Sequence, residues 1–205
     1  MADRDGYRVY EGISPLRLAF DRAFLGWLAR VQALLAAHWL FLLNTLTGLY
    51  VGLAVLSPLL KAAGLGPLGD FLFAAYYYAC HQLPARSFFL FGNQMAFCQR
   101  DVAIYASMCA AGLVYARRRR RVRPLRWWLY GLALLPMAVD GGTQLIGWRE
   151  STWELRVMTG AVFGVATVWL AYPYVEQTID ELVGRTAAQP ADAGVAAVSA
   201  PGDHG

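Results

Sequence analysis

Charge is scarce in this sequence: Asp, Glu, Lys and Arg supply 16% of the 205 residues, against 58% apolar. That balance excludes an ordinary water-soluble domain and makes lipid part of the solvent. The few charges gather in the N-terminal arm, at 117–126 and in short groups between long apolar runs, as in helical membrane proteins. Also missing are a Walker loop, a dinucleotide fingerprint, a Gly-x-Ser-x-Gly elbow and a His-Glu-x-x-His helix, so none of these chemistries is implied. No cleavable signal peptide is visible in the polar first eleven residues, and the expectation is that the N-terminus is kept. Polar residues within the apolar runs are few, chiefly Asn44, Thr45, Thr47 and Ser107, which argues against a transport path. The formal charge of +4 does not indicate nucleic acid, because most of the excess lies in one loop that the positive-inside rule explains.

What is present reads as an all-α, polytopic helical membrane bundle of four or five spans, preceded by an amphipathic interfacial helix. Ser14-Pro15 is an N-cap followed by proline at the first helical position. Leu16, Phe20, Phe24, Trp27, Leu28, Val31 and Leu35 then recur at helical spacing, while Arg17, Asp21, Arg22 and Arg30 prevent crossing. A first span runs from about 38 to 60, with Gly48 and Gly52 as a close-packing face. The segment 66–79 is short and either crosses or re-enters. Asp101 is placed to cap a helix reaching 116, a further span follows the aromatic belt of Trp127, Trp128 and Tyr130, and Ser151 with Glu154 forms a capping box before a last span to about 174. Three regions result: 1–36 as arm and interfacial helix, 37–176 as membrane domain, and 177–205 as a polar tail, disordered from 186 onward.

Five consecutive arginines at 117–121, with Arg123 and Arg126, place that loop in the cytoplasm of a cell whose plasma membrane the chain is expected to cross repeatedly. Residues 80–100 and 147–155 are each one crossing away and are expected on the other face. The side of the N-terminus depends on whether 66–79 crosses.

Two constellations carry chemistry. Cys80, His81 and Cys98 offer thiolate and imidazole to a zinc or copper ion. A Cys80–Cys98 disulfide closing a loop is the favoured alternative, and free thiols are a third. Cys109 reads as a small core residue. The second constellation is Asp140 and Gln144, four apart on one helical face, with Arg86, Arg100, Arg149, Glu150 and Arg156 flanking the same side. Arginines at headgroup depth fit a phosphorylated, anionic lipid headgroup, or else act as snorkelling anchors, and a structural Asp140–arginine pair is the bland reading. Asp140 or His81 acting as general base on a lipid phosphate is an enzymatic alternative. A place as accessory subunit beside other membrane proteins is another. Gly160 and Gly164 form a Gly-x-x-x-Gly pair suited to packing a helix of the same bundle.

Several of these residues, in order, resemble the prokaryotic membrane family known as domain of unknown function 2085. The matching pieces are Cys80-His81-Gln82 with Pro84, Arg86 and Ser87; Cys98, Arg100, Ile104 and Tyr105; Pro136, Asp140-Gly141 and Gln144; and Arg149-Glu150-Ser151 with Arg156, Thr159 and Gly160. The resemblance spans roughly 70–175 and implies a membrane bundle without implying an activity. Ala103 and Ala106 stand where the family leads one to expect glycine, and Trp153 where it leads one to expect asparagine, which bears on how tightly the third segment packs. A shorter likeness to the teicoplanin-resistance type of membrane protein points toward envelope lipids.

Overall fold

The computed structural model describes residues 14–119 and 121–188. Among the described residues there are five α-helices, α1 Pro15–Ala62, α2 Gly66–Ala75, α3 Gln99–Arg118, α4 Trp127–Leu145 and α5 Trp153–Ala188, together with a hairpin of β1 Ser87–Leu90 and β2 Asn93–Cys98. Two of these helices, α1 over Ala19–Ala62 and α5 over Trp153–Gly184, contain stretches long and apolar enough to cross a membrane. The structure thus supports two of the four or five crossings expected, and adds a small sheet to an otherwise helical chain.

The chain divides into two compact units, Met1–Phe41 and Leu42–Gly205. In the first, the backbone N–H of Arg17 donates to Ser14 Oγ at 3.3 Å, confirming the cap. Phe20, Phe24 and Trp27 stack along one exposed stripe, with ring centroids 6.2 and 6.0 Å apart. The interfacial helix and the first span prove to be one continuous helix of 48 residues. Between them the sequence offers Ala36 and Ala37, strong helix formers, and no glycine or proline to stop the ladder.

In the second unit, α2 is too short to cross: its 10 residues rise about 15 Å, half a hydrocarbon core. It folds back on the end of α1, where Ser57 Oγ donates to the Gly69 carbonyl at 2.9 Å and a Cβ on Gly69 would lie 2.8 Å from the Ser57 carbonyl. Lys61 and Asp70 pair at 2.7 Å across the same contact.

The segment 80–100, part of a chain expected to be all-α, holds the β-hairpin. Its strands are antiparallel, with Leu90 opposite Asn93 and Ser87 opposite Cys98. The turn places Phe91 and Gly92 at φ 50° and 77°, the left-handed pair that a tight hairpin requires. Asn-Gly normally marks such a turn, and a phenylalanine in that place hides it. Behind the hairpin Tyr50, Tyr76, Phe97 and Tyr105 pack at centroid separations of 4.7 to 5.4 Å around buried Ala54, Cys80 and Ala96.

Helices α3 and α5 pack through glycine. A Cβ on Gly160 would lie 2.8 Å from the Arg100 carbonyl and 3.2 Å from Ala103 Cβ, and one on Gly164 would lie 2.5 Å from the Ile104 carbonyl. The Gly-x-x-x-Gly pair therefore packs within the bundle, as expected. Ala103 does not prevent close approach, because Gly160 supplies the missing volume on the opposite helix. Helix α5 continues through 177–188, where a polar tail was expected; the disorder assigned to 186–205 lies, beyond Ala188, outside the described residues.

Candidate functional site

The starts of α3 and α5 and the end of α4 meet, and Asp140 is where they join. Its side chain is 4% exposed, although carboxylates are almost never so buried without partners. Oδ2 accepts from Arg100 Nη2 at 2.5 Å and from Ser151 Oγ at 2.8 Å, while Oδ1 accepts from Arg149 Nη2 at 2.7 Å. Ser151 is thus turned to Asp140 rather than to the helix start: α5 begins at Trp153, and the Leu155 N–H points to Thr152 Oγ1 at 3.5 Å. Thr152 replaces Ser151 as cap, which corrects the capping box expected with Glu154.

Arg156 is buried beside this pair. Its Nη1 donates to Gln99 Oε1 at 2.9 Å and to the Ala85 carbonyl at 3.4 Å, and the charges of Arg86, Arg100, Glu150 and Asp140 all act on it. The arginines and carboxylates singled out in the sequence therefore share one locality. Four guanidinium groups there face two carboxylates, Asp140 and Glu150. Among the described residues, Arg100 Nε and Arg156 Nε are buried without a protein partner, as is Gln144 Nε2, one turn beyond Asp140 on α4.

The Cys-His-Gln run divides differently than expected. His81 is exposed, whereas Gln82 is buried at φ 49°. Gln82 Nε2 donates to the Phe73 and Ala96 carbonyls at 2.6 and 3.1 Å, and Gln94 Nε2 donates to the Gln82 carbonyl at 2.6 Å. Gln94 also reaches Ser87 Oγ, whose backbone carbonyl accepts from Gln99 Nε2 at 3.3 Å. Three glutamines thus fasten the loop to the hairpin and, through Gln99, to Arg156. Among them only Gln82 stood out in the sequence, because uncharged amides in a mixed loop carry no periodic signal.

Cys80 and Cys98 are both free thiols. Their sulfurs and a carboxylate oxygen of Asp101 all lie within 4.8 Å of one another, so Asp101, not His81, is the third member of the group. The Cys98 N–H donates to Cys80 Sγ at 3.2 Å, and Cys98 Sγ donates to Asp101 Oδ2 at the same distance. The thiol side chain of Cys98 draws the Cys80 thiol below its usual value, while the side chain of Cys80, with burial, pushes Cys98 up. Asp101 was expected to cap α3; Cys98 holds that position instead, and Asp101 sits in the first turn. The two constellations stand as two groups that share the start of α3, one around Asp140 and one around Cys80, Cys98 and Asp101.

The polar motifs that make both groups fall within residues 80–170, which match the model of a family described as a predicted membrane protein, domain of unknown function 2085. A protein of Methanocaldococcus jannaschii, described only as uncharacterised, is 45% identical over 105 residues, covering 50% of this chain and 67% of its own. The chain belongs to this family. A second uncharacterised protein, from Methanothermobacter thermautotrophicus, is 33% identical over 88 residues, 43% of this chain and 79% of its own. No solved structure matches the chain. Family membership supports a membrane protein and covers the hairpin, α3, α4 and the first half of α5, the elements that build the two groups.

Proposed function

We propose that this is a multi-pass protein of the cell membrane that binds a phosphorylated, anionic lipid headgroup at the arginine site around Asp140. The observation that carries the reading is the set of buried donors without a protein partner, Arg100 Nε, Arg156 Nε and Gln144 Nε2, in a locality with more guanidinium than carboxylate. A buried N–H without an acceptor costs about 1–3 kcal/mol, more when charged, and the oxygens of an anion are the acceptors that such donors call for. Asp140 is already satisfied by three donors, so its role is to hold Arg100 and Arg149 in place. Arginine suits phosphate because its planar fork presents paired donors.

In this reading α1, α3, α4 and α5 cross and α2 only re-enters. Arg119 Nε pairs with Glu176 at 2.6 Å and Trp169 Nε1 donates to the Arg123 carbonyl, contacts between the arginine loop and the part of α5 from its midpoint onward, while the Asp140 group gathers at the start of that helix. This separation supports a cytoplasmic arginine loop and an extracytoplasmic site.

The test is binding to nanodiscs of phosphatidylcholine alone and of phosphatidylcholine with phosphatidic acid, with inorganic phosphate as a separate arm. Expected is selective binding of the phosphatidic acid discs, weakened about tenfold or more by Arg86→Gln, the loss of one charge-assisted contact. Competition by inorganic phosphate alone, with no preference among discs, would assign the site to a free anion. Equal binding to all discs, unchanged in Arg86→Gln, would overturn the proposal.

A further inference from the structure

The group at the start of α3 goes beyond the anion site and does not depend on it. We propose that Cys80, Cys98 and Asp101 form a binding site for a single zinc-class divalent cation, with one coordination position left open. Two distances in the chain support this. The ligand atoms already converge within 4.8 Å of one another. Two sulfurs bound tetrahedrally to zinc stand about 3.8 Å apart and a sulfur and oxygen about 3.5 Å, given bonds of about 2.3 and 2.0 Å, so only a small contraction is needed. The Cys98 Sγ to Asp101 Oδ2 separation of 3.2 Å is near that value before any ion enters.

The surroundings suit a thiolate-bound ion. The Cys98 N–H already points at Cys80 Sγ, the kind of outer hydrogen bond that orients a metal-bound thiolate. Tyr50, Tyr76, Phe97 and Tyr105 pack against the two cysteines and restrict water, while the hairpin register and the Gln82 hydrogen bonds fix the loop that carries Cys80. Asp101 is one turn into α3 from Cys98, so the backbone holds this pair of ligands rigidly. A mixed set of two thiolates and a carboxylate fits a borderline-soft ion such as zinc; calcium and magnesium call for oxygen donors, and copper(I) for softer ones. Three protein ligands leave the fourth tetrahedral position to water or a small ligand.

Binding releases protons in balance: one divalent ion enters, the two thiols give two protons to solvent, and a carboxylate ligand gives none.

The experiment uses the full chain, purified in detergent under reducing conditions, treated with chelator and titrated with zinc and then with cobalt(II). Expected are one bound ion per chain, two protons released, and a thiolate-to-cobalt charge-transfer absorption. The absorption is lost in Cys80→Ser and Cys98→Ser, Asp101→Asn shifts the cobalt ligand-field bands, and His81→Ala changes nothing. Should a cysteine variant fail to fold, the Asp101→Asn shift and the proton count still decide the matter. Absence of charge transfer in the reduced wild-type chain overturns the proposal. So does an unchanged spectrum in Asp101→Asn, or protein trapped from intact membranes by a thiol-blocking agent with Cys80 and Cys98 already joined as a disulfide.

Discussion

Arg100 Nη2 lies 2.5 Å from Asp140 Oδ2, tying the first turn of α3 to the end of α4. With Arg149 on the other oxygen, the carboxylate joins three chain segments that are distant in sequence. A buried pair is weak evidence of net stability, but removing one member strands the other, and that asymmetry gives the pair its testable consequence.

Asp140→Ala is expected to destabilise the fold by about 3–5 kcal/mol, the cost of leaving Arg100 without its counter-charge. Glu154→Gln, at an exposed position, should stay within about 0.5 kcal/mol. Unfolding in detergent compares the two. Equal midpoints would show that Asp140 is not the hub.

Gly164→Ala places a methyl group 2.5 Å from the Ile104 carbonyl, a backbone atom that cannot swing aside. Helices α3 and α5 must separate, at about 1–3 kcal/mol. Gly184→Ala meets nothing within 4 Å and should be neutral or slightly stabilising through helix propensity. Matching thermal shifts in the two variants would contradict the close α3–α5 contact.

At the far end of α5, Glu176 accepts from the Tyr115 hydroxyl and from Arg119 Nε. Glu176→Ala is expected to cost about 2 kcal/mol, because it leaves a buried phenol and a partly buried guanidinium without this acceptor. Glu181→Ala, exposed on the same helix, serves as control. Hydrogen exchange of the α3 C-terminus should rise in the first variant alone; protection equal to wild type would sink the assignment.

Topology is tested by labelling. Ser87 and Ser151 are buried, so the probes belong at Phe91→Cys and Trp148→Cys, where the side chains are 79% and 80% exposed. Both should react with a membrane-impermeant maleimide on intact cells, with wild type as background, and a reporter inserted at Arg119 should behave as cytoplasmic. Reaction of both only after permeabilisation would move the arginine site to the other face and remove its access to outer headgroups.

The helices were legible because lipid imposes a simple requirement: long apolar runs, with polar punctuation at Ser14-Pro15, at the arginine loop and before α5. The burial of Asp140 among arginines was legible for the same reason, since an ionisable group within an apolar run must turn inward and find a partner. The identity of those partners was only narrowed to a set, of which Arg100 and Arg149 make the contact and Arg156 turns to Gln99. The hairpin escaped notice because Phe91 occupies a left-handed position that asparagine usually marks.

The sequence by itself determined a helical membrane protein, the clustering of its arginines and the inward turn of Asp140, because burial cost and periodicity act locally and can be read along a chain. Only tertiary structure decided that Asp101 and not His81 joins the cysteines, that Ser151 serves Asp140 and not a helix cap, and that Gly160 meets Ala103. Each of these depends on which side of a turn faces a distant element. That choice is settled by the packing of α3 against α5 and by the register of the hairpin, and neither is written in any single segment.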